Sequence, residues 1–175
     1  MDNHTVRIDL LGNEYSREPT VQTPSNFGFT VKYLNNGYAQ GNSLHIYRRT
    51  LTANLVANPS GGYLPGADYH WIIKSNAMTQ LAQSCTSTTP MVCTSTFTGK
   101  ATISAVNRAT GVAYSLGGNM QFQVDVTDKG EPGSSSSTTP DTYAIKVWDS
   151  RGTYYQLGSP TAQLALNGGN IQVKP

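Results

Sequence analysis

Two runs decide the fold: Met120-Gln-Phe-Gln-Val-Asp-Val-Thr127 and, one polar loop later, Thr142-Tyr-Ala-Ile-Lys-Val-Trp148. In the first, Phe122, Val124 and Val126 recur at every second position, with Gln123 and Asp125 between them. In the second, Tyr143, Ile145 and Val147 are the apolar set, while Lys146 and Trp148 share the other side. Side chains of a strand alternate between faces, so each run reads as a strand with one face on a core and the other toward solvent. Tyr69-His-Trp-Ile-Ile-Lys74 behaves alike, with Tyr69, Trp71 and Ile73 inward and His70 and Lys74 outward. Trp71 is therefore expected in the core, and Trp148, Gln123 and Asp125 outside.

Working outward, further strands are expected at Thr5–Leu11, Phe27–Leu34, Ser43–Thr50, Tyr69–Ser75, Thr96–Val106, Thr153–Leu157 and Asn170–Val173, all rich in residues that suit a pleated surface. Turn signals separate them, among them Asn35-Asn-Gly37, Pro59-Ser-Gly-Gly62, Gly117-Gly-Asn119, Asp149-Ser-Arg-Gly152 and Asn167-Gly-Gly169. Asn76–Gln83 and Thr161–Leu166 are the passages that could turn helical, each too short to matter. Many short strands with frequent turns predict an all-β protein, an antiparallel β-sandwich or a Greek-key barrel-like single domain. Residues 1–25 read as an N-terminal strand and surface segment, continuous with a sandwich core over 26–175. The Ser-rich loop ending at Pro140 reads as a mobile hairpin tip.

Charged residues make up 13% of the chain, about half the usual share, and the net charge of +2 is too small to hold a polyanion such as nucleic acid. No run approaches the roughly 20 apolar residues that span a bilayer. Met1-Asp-Asn-His4 lacks the features of a signal peptide, so Met1 reads as the start of a piece of something longer. Cys85 and Cys93 bound a short Ser/Thr/Pro loop between strand-like runs and are expected to form a disulfide. Such a bridge trims unfolded-state entropy by about 2–3 kcal/mol and implies an oxidising compartment, hence a secreted or cell-surface location.

Phe97-Thr-Gly-Lys-Ala-Thr-Ile103, Phe122-Gln-Val-Asp-Val-Thr-Asp-Lys-Gly-Glu-Pro-Gly133, Asp141-Thr-Tyr-Ala-Ile145 and Leu166-Asn-Gly-Gly-Asn-Ile-Gln-Val173 stand in order along the chain. Upstream lie Asn26-Phe-Gly-Phe-Thr-Val31 and Gln40-Gly-Asn-Ser-Leu-His-Ile46. This series resembles the domain that follows choice-of-anchor modules in bacterial multidomain surface and secreted proteins, over roughly residues 25–173. The chain departs from that pattern in the Leu51–Ala67 insertion, the Cys85–Cys93 loop and the Ser-rich hairpin. The resemblance implies an extracellular accessory or structural module and brings no catalytic residues with it.

Calcium takes six to eight hard oxygen ligands, which Asp125, Asp128, Glu131 and Asp141 with nearby loop carbonyls could supply. The competing reading is a glycine-made turn with solvated acids beside it. Carbohydrate is the second candidate ligand, because sugars stack on flat aromatic faces while amides bind their hydroxyls. Trp148, Tyr154, Tyr155 and Tyr63 are the expected aromatic contacts, against the alternative that they pack in the core or across strands. Catalysis has less behind it. No Gly-x-Ser-x-Gly elbow occurs, and His4, His45 and His70 are isolated, reading as surface or half-buried residues. The expected function is a non-catalytic extracellular module acting as spacer, adhesive unit or accessory binding domain, with polysaccharide or neighbouring domains of the same chain as partners. The alternative is a small secreted hydrolase acting on polysaccharide through a carboxylate pair drawn from Asp68, Asp125, Asp128, Glu131 and Asp141.

Overall fold

The computed structural model describes residues 7–8, 14–15, 25–50, 68–87, 91–130, 139–168 and 171–173. β1 (Arg7–Ile8) and β2 (Glu14–Tyr15) pair as a small ribbon. β3 (Ser25–Tyr33), β4 (Ala39–Thr50), β5 (Asp68–Cys85), β6 (Cys93–Asn107), β7 (Ala113–Asp128), β8 (Thr142–Asp149), β9 (Gly152–Leu157) and β10 (Leu164–Ala165) form one open antiparallel sheet of eight strands. The fold is all-β and antiparallel, as the alternation predicts, and no helix occurs among the described residues. From β3 to β8 every strand pairs with its neighbours in sequence, and β9 and β10 share the far edge of β8.

A crease makes this single sheet sandwich-like. β5 carries two register shifts against β6, between Ser75 and Ala77 and between Met78 and Gln80. β7 carries extra residues against β6 at the same level, where Ala101 faces Met120 but Ser104 faces Ser115. Bulges bend a strand and sharpen its twist. Set side by side, these fold the sheet so that β3 and β4 face β8 and β9. Phe27 stacks on Tyr143 at 3.8 Å, Phe29 tilts against Phe97 at 5.0 Å, and Tyr47 stacks on Tyr155 at 4.2 Å. Between the layers lie Tyr69, Trp71, Ile103, Phe122, Val124, Val126 and Val147, all essentially without solvent contact. Each such side chain contributes about 1.5–3 kcal/mol over its exposed state.

Two expectations change at the crease. Asn76–Gln83 is neither helix nor turn but the outer half of β5. Gly117-Gly-Asn119 is not a loop between strands but the bulge inside β7, where Asn119 adopts φ 55°. By contrast Asn35–Gly37 is the β3–β4 turn it resembles, with Gly37 at φ 81° donating its N–H to the Leu34 carbonyl at 2.9 Å. At the C-terminus, Ile171 and Val173 are buried in the core without belonging to a strand.

Candidate functional site

Cys85 and Cys93 stand opposite each other on β5 and β6 and are bonded, closing the loop between them. Three of the carboxylates expected to hold calcium, Asp125, Asp128 and Asp141, accept hydrogen bonds within the fold. Asp141, 4% exposed, accepts the Lys129 N–H at one oxygen and the Ile171 N–H at the other, both at 2.8 Å. Asp128 accepts the N–H groups of Gly130 at 2.9 Å and Val173 at 2.8 Å. Together the two acids pin the C-terminal segment to the base of the β7–β8 hairpin. Asp125 was expected on the open surface but is buried, 6% exposed. The turn over residues 158–163 lies against Ala144, the cross-strand partner of Asp125, and so covers this end of the outer face. Asp125 accepts hydrogen bonds from the Thr96 hydroxyl at 2.7 Å and the Gln123 amide at 2.9 Å. Asp68 pairs with Arg48 and Arg108. Among the described residues no group of three or more His, Cys, Asp or Glu could hold a metal ion, and Glu131 lies outside them.

Asp141 provides a direct check of the clamp. Asn at this position keeps the shape but accepts at one oxygen only, leaving a backbone N–H facing an amide donor. Asp141→Asn is expected to cost about 2–3 kcal/mol. Thermal denaturation should show a melting point lower by roughly 4–12 °C. Matched curves in EDTA and in millimolar calcium would show whether N–H donors alone satisfy these acids.

The expected aromatic face divides in two. Trp148 is on the outer face, half-buried, with the Lys146 ammonium 5.6 Å above its ring. Tyr155 was expected at the surface but is 7% exposed, and Tyr154 is half-buried and packs toward Trp71 at 6.1 Å. The cause is a bulge in β9: Val147 faces Tyr155 while Trp148 faces Thr153, so Tyr154 is an extra residue and both tyrosines turn inward. Tyr63 lies outside the described residues.

What surrounds Trp148 instead is a ladder of polar side chains. Trp148 is opposite Gln121, which is opposite Lys100; beside them Lys146 is opposite Gln123, which is opposite Thr98. Thr98 also shares a hydrogen bond with Thr79 at 2.9 Å. The face thus presents one indole, two amides, hydroxyls and ammonium groups at strand spacing, about 4.8 Å apart. Sequence reading had placed Gln123, Lys146 and Trp148 outward. It missed Lys100 and Thr98, whose signal was the same alternation continued along β6.

The inward face of β4 carries a second polar group. His45, read from sequence as a surface or half-buried residue, is 1% exposed. Its Nε2 lies 3.1 Å from the Tyr155 hydroxyl and its Nδ1 3.3 Å from that of Tyr143. A neutral ring donates from one nitrogen and accepts at the other, so one phenol accepts and the other donates. Burial lowers the His45 pKa to about 4. Burial, and then the neighbouring Tyr155, raises that of Tyr143 well above 10.0. Closed from solvent, the trio ties the two layers together.

No family model, curated protein or solved structure matches this chain.

Proposed function

We propose that this domain is a non-catalytic extracellular module of a larger surface or secreted protein, and that the outer face around Trp148 binds polysaccharide. The observation that carries the reading is the placement of one half-buried indole among Gln121, Gln123, Thr98 and Lys100 on the outer β-face. The indole offers an apolar plane, and the amides and hydroxyls offer donors and acceptors at fixed spacing, as recognition of a polyhydroxylated chain requires. The disulfide supports an oxidising compartment. Asp68, Asp125, Asp128 and Asp141 each hold partners within the fold, which favours binding over hydrolysis. Calcium is not needed for this reading, since Asp128 and Asp141 accept N–H donors.

Pull-down and calorimetry against a panel of polysaccharides test it. The parent domain should be retained by at least one polymer and Trp148→Ala by none. The variant should melt within about 2–4 °C of the parent, because it loses only a half-buried side chain and a cation–π contact of roughly 0.5–1 kcal/mol. Retention of the variant at parental strength would remove Trp148 from the site.

A further inference from the structure

We infer that the ligand of this face is an acidic polysaccharide, one bearing carboxylate or sulfate groups, gripped by a diagonal track of three lysines that passes Trp148. This rests on the carbohydrate-binding reading above and adds the charge of the ligand to it. The register defines the track. Lys146 on β8 is level with Thr98 on β6, through Gln123. Lys100 is the next outward position along β6. One outward position further along β6 is Thr102, and Lys74 of β5 stands opposite it. Lys146, Lys100 and Lys74 therefore climb the face obliquely across three strand spacings, roughly 14 Å.

These three cations have no carboxylate partner among the described residues, unlike the described arginines nearby. Arg48 and Arg108 converge on Asp68, and Arg151 pairs with Asp149. Among the described residues none of the three lysines makes an ion pair, and the Lys146 ammonium rests over the Trp148 ring. Lys74 and Lys146 are exposed and Lys100 is half-buried. Asp125, the acid nearest to the track in register, is buried and already accepts the Thr96 and Gln123 donors. The result is a local line of positive charge past Trp148, which the small net charge of the whole chain, +2, does not reveal. Neighbouring ammonium groups repel one another, and a chain with anionic groups at intervals relieves that repulsion. A neutral glycan cannot.

The test uses the full chain and titrates polygalacturonate, alginate and chondroitin sulfate, with methyl-esterified polygalacturonate, xyloglucan and single-stranded DNA as comparisons. At least one acidic glycan should bind about tenfold or more tighter than the neutral polymers, and weaken by a similar factor between about 50 and 500 mM NaCl. Lys74→Gln/Lys100→Gln/Lys146→Gln should erase that preference while leaving the melting curve unchanged. The exposed pair Lys74→Gln/Lys146→Gln gives an intermediate loss and guards against any effect of Lys100 on folding. Equal binding of acidic and neutral glycans would overturn the charge inference and leave the carbohydrate face standing. Binding of no glycan would overturn both. DNA binding as tight as the best glycan, and indifferent to Trp148→Ala, would show a nonspecific polyanion surface and overturn the inference.

Discussion

Gly99→Val should leave the domain unable to fold, and Gly99→Ala should already cost about 3 kcal/mol or more. Gly99 lies at the centre of β6, buried, directly opposite Met78 where β5 bulges. A Cβ there would clash with the Ala77 carbonyl oxygen and sit 2.8 Å from Cε1 of Phe122. The Phe122 ring could shift, but the carbonyl is backbone held in a ladder on both sides of the crease. Retreat would open the pairing at the bend through which three strands pass. Against the roughly 5–15 kcal/mol that typically separates folded from unfolded domains, this is a large fraction. Gly28→Ala is the matched control. It is also a strand glycine, on the exposed face of β3, and a Cβ there meets nothing within 4 Å. It should be neutral or stabilising by up to about 1 kcal/mol. Urea denaturation of both variants decides the matter. A Gly99→Ala protein as stable as the parent would show that the bulge tolerates a side chain.

The same crease explains which parts of the fold were legible in the sequence. β6 was readable because it is the straight member: from Cys93 to Asn107 each odd-numbered residue is buried, with no change of phase. β5 and β7 were readable on one side of the bend only. An extra residue resets the parity of everything beyond it, so Asn76–Gln83 lost its period-2 signature. Gly117-Gly-Asn119 mimicked a turn because a bulge and a turn both call for a residue at positive φ. Tyr154 and Tyr155 repeat the lesson at the site. Adjacent residues should face opposite ways, and one inserted residue turned both inward and left Trp148 alone outside. Asp125 was legible as outward but not as buried, because the turn of residues 158–163 that packs on its cross-strand partner Ala144 lies far along the chain. The acids of the hairpin were legible as a cluster. Their partners were not, since backbone N–H groups of Ile171 and Val173 leave no trace in residue identity.

His45 should make the protein lose stability as the medium is acidified from about pH 6.5 to about pH 4, and not as a result of surface charge. Buried between Tyr143 and Tyr155, it has a folded pKa of about 4 against 6.5 for an unperturbed imidazole. Above pH 6.5 neither folded nor unfolded chains carry the proton, so this residue adds no pH dependence. Between the two values the unfolded chain takes a proton that the folded core refuses, and stability falls with decreasing pH. Below about 4 both states are protonated and the decline from this source ends. A gap of this width corresponds to about 3 kcal/mol over the whole window. The neighbours that set it are the Tyr143 and Tyr155 phenols and the Tyr47 ring, none of which offers a negative charge to hold an imidazolium. His45→Gln separates this effect from the protonation of carboxylates elsewhere. Its amide can still meet a phenol hydroxyl but does not titrate, so the variant should be weaker than the parent at pH 7 and lose about 3 kcal/mol less on acidification to pH 4. Urea denaturation at the two pH values measures both numbers. Parallel losses in parent and variant would mean that His45 accepts its proton inside the fold, and that the tyrosine pair solvates an imidazolium better than its burial implies.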